Sequence, residues 1–321
     1  MYKTKWNKVY RPLRRLVELG FVLLGYVVIP LLPRSIVVCL ANSIGKIAYC
    51  IPSKTRSVGL ANLDVAFGHQ KTHDEKTQTL QKSFQTFTRV VLDLFWFSFR
   101  PTKRIPHYVQ FDPDFNEMLK HSPQICTTAH FGNWEIMGQA ISIAGFEIAN
   151  VAAPIKNKWV DHLFRKIRAK SGQAIIPRKG ALRNMLRKVK DGSNVGIMLD
   201  QNTLPMDGGV FVDFFGLPVP VSQAGAFLAS RAKVDIIFCF CLPEPDGSYR
   251  VISAPPIQID EWFNESKKAD LPEITQAIIQ GVEEVIRKYP EHWLWSYKRW
   301  GSIPNDYPPS RFPNYANPID L

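Results

Sequence analysis

From residue 124 onward, apolar residues form short runs separated by amphipathic stretches. The runs predict buried strands at 124–129, 147–153, 173–176, 194–199, 235–242 and 249–253. The stretches between them repeat near the helical period and predict helices at 134–144, 158–171, 180–191, 222–232 and 271–289. Strands that alternate with helices are typical of an α/β fold with a mostly parallel sheet flanked by helices.

The first third of the chain has a helical pattern throughout. Residues 55–100 predict two helices with a break at 68–74. The uncharged run between Glu18 and Arg34 holds about fifteen residues, fewer than the roughly 20 that a spanning helix needs. A second apolar stretch covers 35–51. We expect an N-terminal hydrophobic, membrane-anchoring helical segment, either a marginal span or a hairpin in the interface; two core helices of a soluble domain are the alternative.

Length and composition favour one large domain with appendages. A chain of 321 residues can bury a full core. The expected division is a basic leader and anchor at 1–52, an α/β domain at 53–303 and a proline-rich tail at 304–321 without a core of its own. The five cysteines show neither a CxxC pair nor metal-ligand spacing, so we interpret them as reduced thiols and expect no metal site.

The net charge of +12 is concentrated in two segments. Residues 156–190 contain twelve lysines and arginines and one acid, Asp161, and residues 1–15 contain six bases and no acid. Such concentration indicates an anionic partner, which includes phosphates, a membrane surface or an acidic protein. Bases ahead of an apolar run also favour a cytoplasmic location for residues 1–15 and contact with anionic membrane lipids.

The most informative chemistry lies at 130–135, where the sequence is His-Phe-Gly-Asn-Trp-Glu. His130 follows a predicted strand, and Glu135 falls in the first turn of a helix that Asn133 can cap. An imidazole at a strand end with an acid in the next turn suits deprotonation of a hydroxyl. We therefore predict that His130 is a general base and that Glu135 fixes its tautomer. The spacing alone also occurs where a surface histidine lies beside a cap carboxylate.

Further polar residues are candidates for substrate binding. Arg168, with Arg165 and Lys166, lies on a predicted helix and would bind a phosphate, although charge runs are usually solvated helix faces. Arg178 follows a predicted strand and can approach a phosphate. Asp200 ends a buried strand at the carboxyl edge of the sheet, where sites of open α/β sheets gather, or it caps the following turn.

Several segments resemble one family. Residues 128–135 resemble the HxxxxD/E motif of glycerolipid acyltransferases, and the Phe-Gly-Asn-Trp-Glu version resembles the lipid A secondary (lauroyl/myristoyl) acyltransferases. Residues 56–67, 199–201, 209–216 and 292–300 are similar to further blocks of that family, and Arg168 stands where it has a functional arginine. Two positions depart from it: Ala153 precedes Pro154 where Arg is frequent, and Tyr297 replaces a common His.

The resemblance implies a membrane-bound O-acyltransferase in domain 53–303. It would move an acyl group from a thioester to a hydroxyl of an anionic glycolipid, a lipid A precursor, at the cytoplasmic side of a Gram-negative inner membrane. His130 and Glu135 would be catalytic, and Arg168, Asp200, Arg165, Lys166, Arg178 and Asn133 would contribute to substrate binding.

The thioester is a co-substrate and no other cofactor is implied. Acyl-carrier protein is the favoured donor and acyl-CoA the alternative. A second possible acceptor is a lysophospholipid or another phosphoglycolipid.

The residues alone also allow a different class of protein, a non-catalytic basic protein that binds a membrane surface or nucleic acid. No recognisable nucleic-acid module appears, so we expect no nucleic-acid partner. A serine hydrolase is disfavoured because a Gly-x-Ser-x-Gly elbow is lacking.

Overall fold

A computed structural model describes residues 2–152, 154–262 and 270–319, and for residues 2–13 it describes the backbone alone. The cations predicted for the leader therefore lie mostly outside the described side chains, and Ala153 lies outside the described residues.

The helices are α1 (Tyr2–Val28), α2 (Arg34–Cys50), α3 (Lys54–Phe67), α4 (His73–Trp96), α5 (Pro101–Tyr108), α6 (Pro113–Leu119), α7 (Trp134–Ile143), α8 (Lys158–Ala169), α9 (Ala181–Lys190), α10 (Ala224–Ala232) and α11 (Leu271–Lys288). The strands are β1 (Val109–Phe111), β2 (Ile125–Thr128), β3 (Ile148–Ala152), β4 (Ala174–Pro177), β5 (Asn194–Met198), β6 (Gly209–Phe214), β7 (Leu217–Ser222), β8 (Ile236–Phe238), β9 (Phe240–Pro243), β10 (Tyr249–Ile252), β11 (Ser302–Ile303) and β12 (Asn317–Pro318).

The central sheet has five parallel strands in the order β4-β3-β5-β2-β8. This confirms the α/β fold with a parallel sheet. The chain moves from β2 to β3 to β4 in one direction and returns through β5 to β8 in the other. Because parallel crossovers are right-handed, α7 and α8 cover one face and α9 and α10 cover the opposite face. The reversal falls between β2 and β5, and open α/β sheets bind ligands in the crevice at such a point.

Each face of the sheet contributes to its own apolar cluster. Cys126 and Ile148 point towards α7, where they join its residues Ile136 and Ile141. Ile125, Ala149 and Val195 point to the other face and pack with residues of α9, α10 and α11. The alternation along each strand explains why the sequence shows continuous apolar runs, since both faces are covered.

The N-terminal helices pack onto the α/β body. Gly45 of α2 lies so close to α4 that a Cβ there would be 2.5 Å from the Gln85 Cα. Among the described residues no single helix is long and apolar enough to cross a membrane; α2 and the segment Lys54–Gln70 reach that length and composition only together, across a 91° bend. The expected membrane anchor is therefore not established by the fold.

A set of large apolar side chains nevertheless remains exposed on α1, α2, α4 and the turn between α1 and α2. We call it the apolar surface, and it comprises Phe21, Leu24, Val27, Leu31, Ile36, Ile44, Ile47, Phe87 and Val91.

The tail is tied to the body by a few specific contacts. β11 pairs with β12, the Tyr315 hydroxyl donates to the Asn62 amide oxygen, and Phe312 is buried in the main apolar cluster. The proline-rich composition gave no sign of these contacts.

Candidate active site

His130 and Asp200 meet at the switch point of the sheet. His130 comes two residues after β2 and Asp200 two residues after β5, and these strands are parallel neighbours with Thr128 opposite Met198. Both side chains therefore lie at the carboxyl edge of the sheet. The His130 imidazole lines a cavity of about 800 Å³ at this edge.

Asp200 holds His130 through two contacts and is itself held by a third. The His130 Nδ1 lies 2.9 Å from the Asp200 Oδ1, and the His130 backbone N–H donates to Oδ2 at 2.8 Å. The Trp293 indole N–H donates to the same Oδ2 at 2.9 Å. Asp200 is 4% exposed, so water competes little for these bonds.

The charges of His130 and Asp200 determine which imidazole nitrogen carries the proton. Burial raises the pKa of Asp200, but the His130 charge and the hydrogen bonds to His130 and Trp293 outweigh it and lower the pKa overall. The carboxylate is therefore ionised and accepts the proton on Nδ1, which leaves Nε2 of neutral His130 without a proton. Burial lowers the pKa of His130, but the Asp200 and Glu135 carboxylates raise it above its ordinary value.

Glu135 has a different partner from the one the sequence predicts. Its carboxylate receives a bidentate pair of hydrogen bonds from Arg168, with Nε at 3.0 Å and Nη2 at 2.7 Å. The hydrogen bond that fixes the imidazole tautomer comes from Asp200, so the predicted pairing of Glu135 with His130 is corrected. Glu135 acts on His130 through its charge, and both Glu135 and Arg168 line the cavity.

Asn133 lies beneath the cavity wall. It is completely buried and caps α7, because its side-chain oxygen accepts the Ile136 backbone N–H at 3.1 Å. Its amide nitrogen donates to Asp93 at 3.2 Å and to the Tyr249 hydroxyl at 3.0 Å. Asn133 therefore supports the site by orienting α7, and the expectation that it binds substrate is replaced by this role.

The network below Asn133 was not foreseen from the sequence. Arg34, at the start of α2, pairs with Asp93 and donates from Nε to the Gly247 carbonyl oxygen at 2.8 Å. Arg34 and Asp93 are 5% and 0% exposed. Burial lowers the pKa of Arg34, but Asp93 more than reverses this and raises it. Nothing in the sequence indicates that Arg34, on one amphipathic helix, contacts Asp93 on another.

The basic strip at 156–190 divides into two parts. On α8, Arg168 pairs with Glu135 and Arg165 pairs with Asp161 at 2.8 Å. Lys166 is exposed and does not line the cavity. Arg178, which follows β4, does line it.

The cavity is lined from both faces of the sheet. The face that carries α7 contributes Cys126, Thr128, Met137, Gly138, Ile148, Asn150, Ile175, Gly196 and Met198. The face that carries α9 contributes Val151, Leu182, Met185, Ile197, Leu199 and Phe227. Of the aromatic residues at 211–215 that resemble a family block, Phe214 and Phe215 are buried in the core.

An aromatic path joins the apolar surface to His130. The Trp134 ring is edge-on to His130, with ring centroids 5.1 Å apart, and it stacks on Phe87 at 6.0 Å. Phe87 is 41% exposed and belongs to the apolar surface. Because Trp134 also lines the cavity, the cavity wall near His130 contacts the apolar surface.

The C-terminal aromatic block packs inside the protein. Trp293, Trp295 and Trp300 are at most 1% exposed, so they are core residues and not a belt at a membrane interface. Trp293 additionally fixes Asp200, a role that composition alone does not reveal.

Comparison with known proteins gives a consistent result. The family described as bacterial lipid A biosynthesis acyltransferase matches residues 4–302. The lipid A biosynthesis lauroyltransferase of Escherichia coli is 24% identical over 284 residues, which cover 86% of this chain and 89% of that protein. The lipid A biosynthesis palmitoleoyltransferase of the same organism is 22% identical over 280 residues, or 85% and 87% of the two chains. The chain thus belongs to the bacterial lipid A biosynthesis acyltransferase family and is an acyltransferase.

Proposed function

We propose that the protein is a membrane-associated O-acyltransferase that moves a fatty acyl group from a thioester, preferably of acyl-carrier protein, to a hydroxyl of a lipid A precursor. The observation that carries the proposal is the contact between His130 Nδ1 and the Asp200 carboxylate at the edge of a cavity that His130 lines. This contact leaves Nε2 of neutral His130 unprotonated. The names of the relatives, which specify lipid A biosynthesis, support the acceptor.

The proposed reaction uses the unprotonated Nε2 of His130 as the base. The acceptor hydroxyl gives its proton to Nε2 of His130 as its oxygen attacks the thioester carbonyl carbon. The carbonyl becomes a tetrahedral oxyanion, which collapses as the carbon–sulfur bond breaks. The departing thiolate takes the proton back from Nε2, so His130 ends the cycle neutral. Asp200 stabilises the imidazolium formed on the way, because it is already ionised.

Arg168 and Glu135 contribute at the same wall of the cavity. The Glu135 carboxylate engages Nε and Nη2 of Arg168, which fixes the plane of the guanidinium. We assign Arg168 to an anionic group of the substrate, either a phosphate of the acceptor or the developing oxyanion. Arg178 lines the same cavity and adds positive charge for the phosphates, whereas the half-buried Arg165 and the exposed Lys166 do not line it.

The apolar surface would contact the membrane at the cytoplasmic side of the inner membrane. Its exposed side chains would leave water for lipid, and Arg14 and Arg15 on the same helix α1 suit anionic headgroups. The path from Phe87 through Trp134 to His130 gives a lipid acceptor a continuous apolar route into the cavity. This arrangement favours a surface-lying segment over a spanning one.

The test supplies the detergent-solubilised protein with a lipid A precursor or lysophosphatidic acid in separate reactions. Carrier-protein thioesters of several chain lengths serve as donors, because the relatives are named for different acyl groups. Mass spectrometry of the lipids should show one added acyl group on the lipid A precursor, and none with His130→Ala. Glu135→Ala should also abolish transfer. Acylation of lysophosphatidic acid alone would overturn the acceptor, and undiminished transfer by His130→Ala would overturn the mechanism.

A further inference from the structure

Helix α9 carries an exposed basic stripe that the reaction does not use. Arg183, Arg187 and Lys190 lie at positions i, i+4 and i+7, so they share one face, and all three are exposed. None of them forms an ion pair with a carboxylate of the described residues. On α8, by contrast, Arg168 and Arg165 are paired. The two arginines of α8 are therefore engaged by carboxylates, whereas the three cations of the α9 stripe are not.

The stripe borders the cavity. Leu182 and Met185, on the adjacent side of α9, line the cavity, and Leu182 is 41% exposed. Arg178, at the turn before α9, lines the cavity as well. A partner that bound the stripe would hold its own groups next to an opening that leads to His130.

The stripe also faces away from the apolar surface. α4 contacts α7 and α1 contacts α8, whereas α9 packs against α10 and the opposite face of the sheet. A membrane that covers the apolar surface would therefore leave α9 in water. This placement favours a soluble partner over lipid headgroups.

We propose that the stripe Arg183, Arg187 and Lys190 is the docking site for the acidic carrier protein that delivers the acyl thioester; this rests on the proposed function. The stripe spans about 10 Å along α9, which is longer than one phosphate group and suits a row of carboxylates on a partner helix. Donor and acceptor then enter from opposite faces of the sheet and meet at His130. Docking charges of this kind act mainly on the association rate and its dependence on salt.

The test compares two variants of equal charge change. The stripe variant is Arg183→Glu, Arg187→Glu and Lys190→Glu, and the control is Lys54→Glu, Lys82→Glu and Lys103→Glu, which changes exposed lysines elsewhere. Each is assayed with acyl-carrier protein and with acyl-pantetheine, which lacks the protein and its charges. Fluorescence anisotropy of labelled carrier protein measures binding independently of transfer.

The stripe variant should lose about tenfold or more in kcat/KM with acyl-carrier protein, together with most of the salt dependence, and change less than about twofold with acyl-pantetheine. The control variant should match the wild type with both donors. Equal losses with both donors, or unchanged binding of the carrier protein, would overturn the docking site. So would loss of binding to anionic vesicles in the stripe variant alone. If the wild type binds the carrier protein through the stripe but acylates no lipid, the proposed function fails and the docking site stands.

Discussion

Replacement of Asp200 by Asn tests whether Asp200 sets the tautomer of the His130 imidazole. Two N–H groups, from the His130 backbone and from Trp293, converge on the Asp200 Oδ2, and one ring nitrogen meets Oδ1. In Asp200→Asn the single amide oxygen should take the place of Oδ2, since two donors point to it there. The amide NH₂ would then face Nδ1, which can accept its proton only in the tautomer with hydrogen on Nε2. The base would be removed without a change of shape.

The expected loss is large because both orientation and imidazolium stabilisation are lost. A buried aspartate that orients a catalytic histidine is worth about 10⁴-fold in kcat in a comparable dyad. We therefore expect kcat to fall by roughly 10³ to 10⁴, or about 4 to 5.5 kcal/mol in the barrier. Rates are measured with a lipid A precursor and an acyl-carrier protein thioester, and circular dichroism checks the fold. Asp306→Asn, which changes an exposed carboxylate away from the cavity, serves as the matched carboxylate-to-amide control and should keep the wild-type kcat. A kcat for Asp200→Asn within tenfold of the wild type would refute the argument.

Four other perturbations have defined outcomes. Arg168→Lys removes the bidentate hydrogen bonds and should raise the KM for the acceptor or the donor about tenfold, which initial-rate kinetics measures. An unchanged KM would mean that Arg168 has only a structural role. Because His130 must be neutral to act, kcat/KM should fall as the pH drops through its raised pKa, above about 6.5, and a pH profile flat down to 5 contradicts this. Asp93→Ala leaves Arg34 buried without its counter-charge and should lower the free energy of unfolding by about 3–5 kcal/mol in urea titrations; a loss below about 1 kcal/mol argues against the network. Phe87→Asp should weaken sedimentation with anionic vesicles about tenfold, and equal sedimentation would remove Phe87 from the membrane contact.

The apolar pattern predicted strands of the central sheet, whose two faces are both covered, and the helices that pack on them. The predicted strand at 124–129 is observed as β2, and the helix predicted at 134–144 is observed as α7. The pattern did not show the antiparallel pair β6–β7, which contains two prolines and lies outside the parallel sheet. Strand β1 was missed for a different reason, because three residues carry too little periodicity.

The structure brings together part of the predicted site. His130, Glu135, Arg168 and Arg178 line the cavity and Asp200 contacts His130, whereas Asn133, Arg165 and Lys166 do not line it. However, the spacing of His130 and Glu135 suggested that they pair with each other, because sequence distance was the only measure of proximity. The order of strands in the sheet determines which carboxylate contacts His130. Strand β5 lies beside β2 although almost seventy residues separate them, so Asp200, and not Glu135, bonds to the His130 imidazole. Strand order in a parallel sheet cannot be derived from local periodicity.

The ¹⁵N NMR titration of His130, assigned by comparison with His130→Ala in protein labelled at histidine, tests the roles of His130 and Asp200 most directly. We expect neutral His130 to carry its proton on Nδ1, to leave Nε2 unprotonated, and to titrate above the ordinary pKa of about 6.5. We also expect Asp200→Asn to move the proton to Nε2 and to lower that pKa. A neutral imidazole protonated on Nε2 in the wild type, or a titration unaffected by Asp200→Asn, would contradict the assignment of His130 as the base and of Asp200 as the residue that orients it.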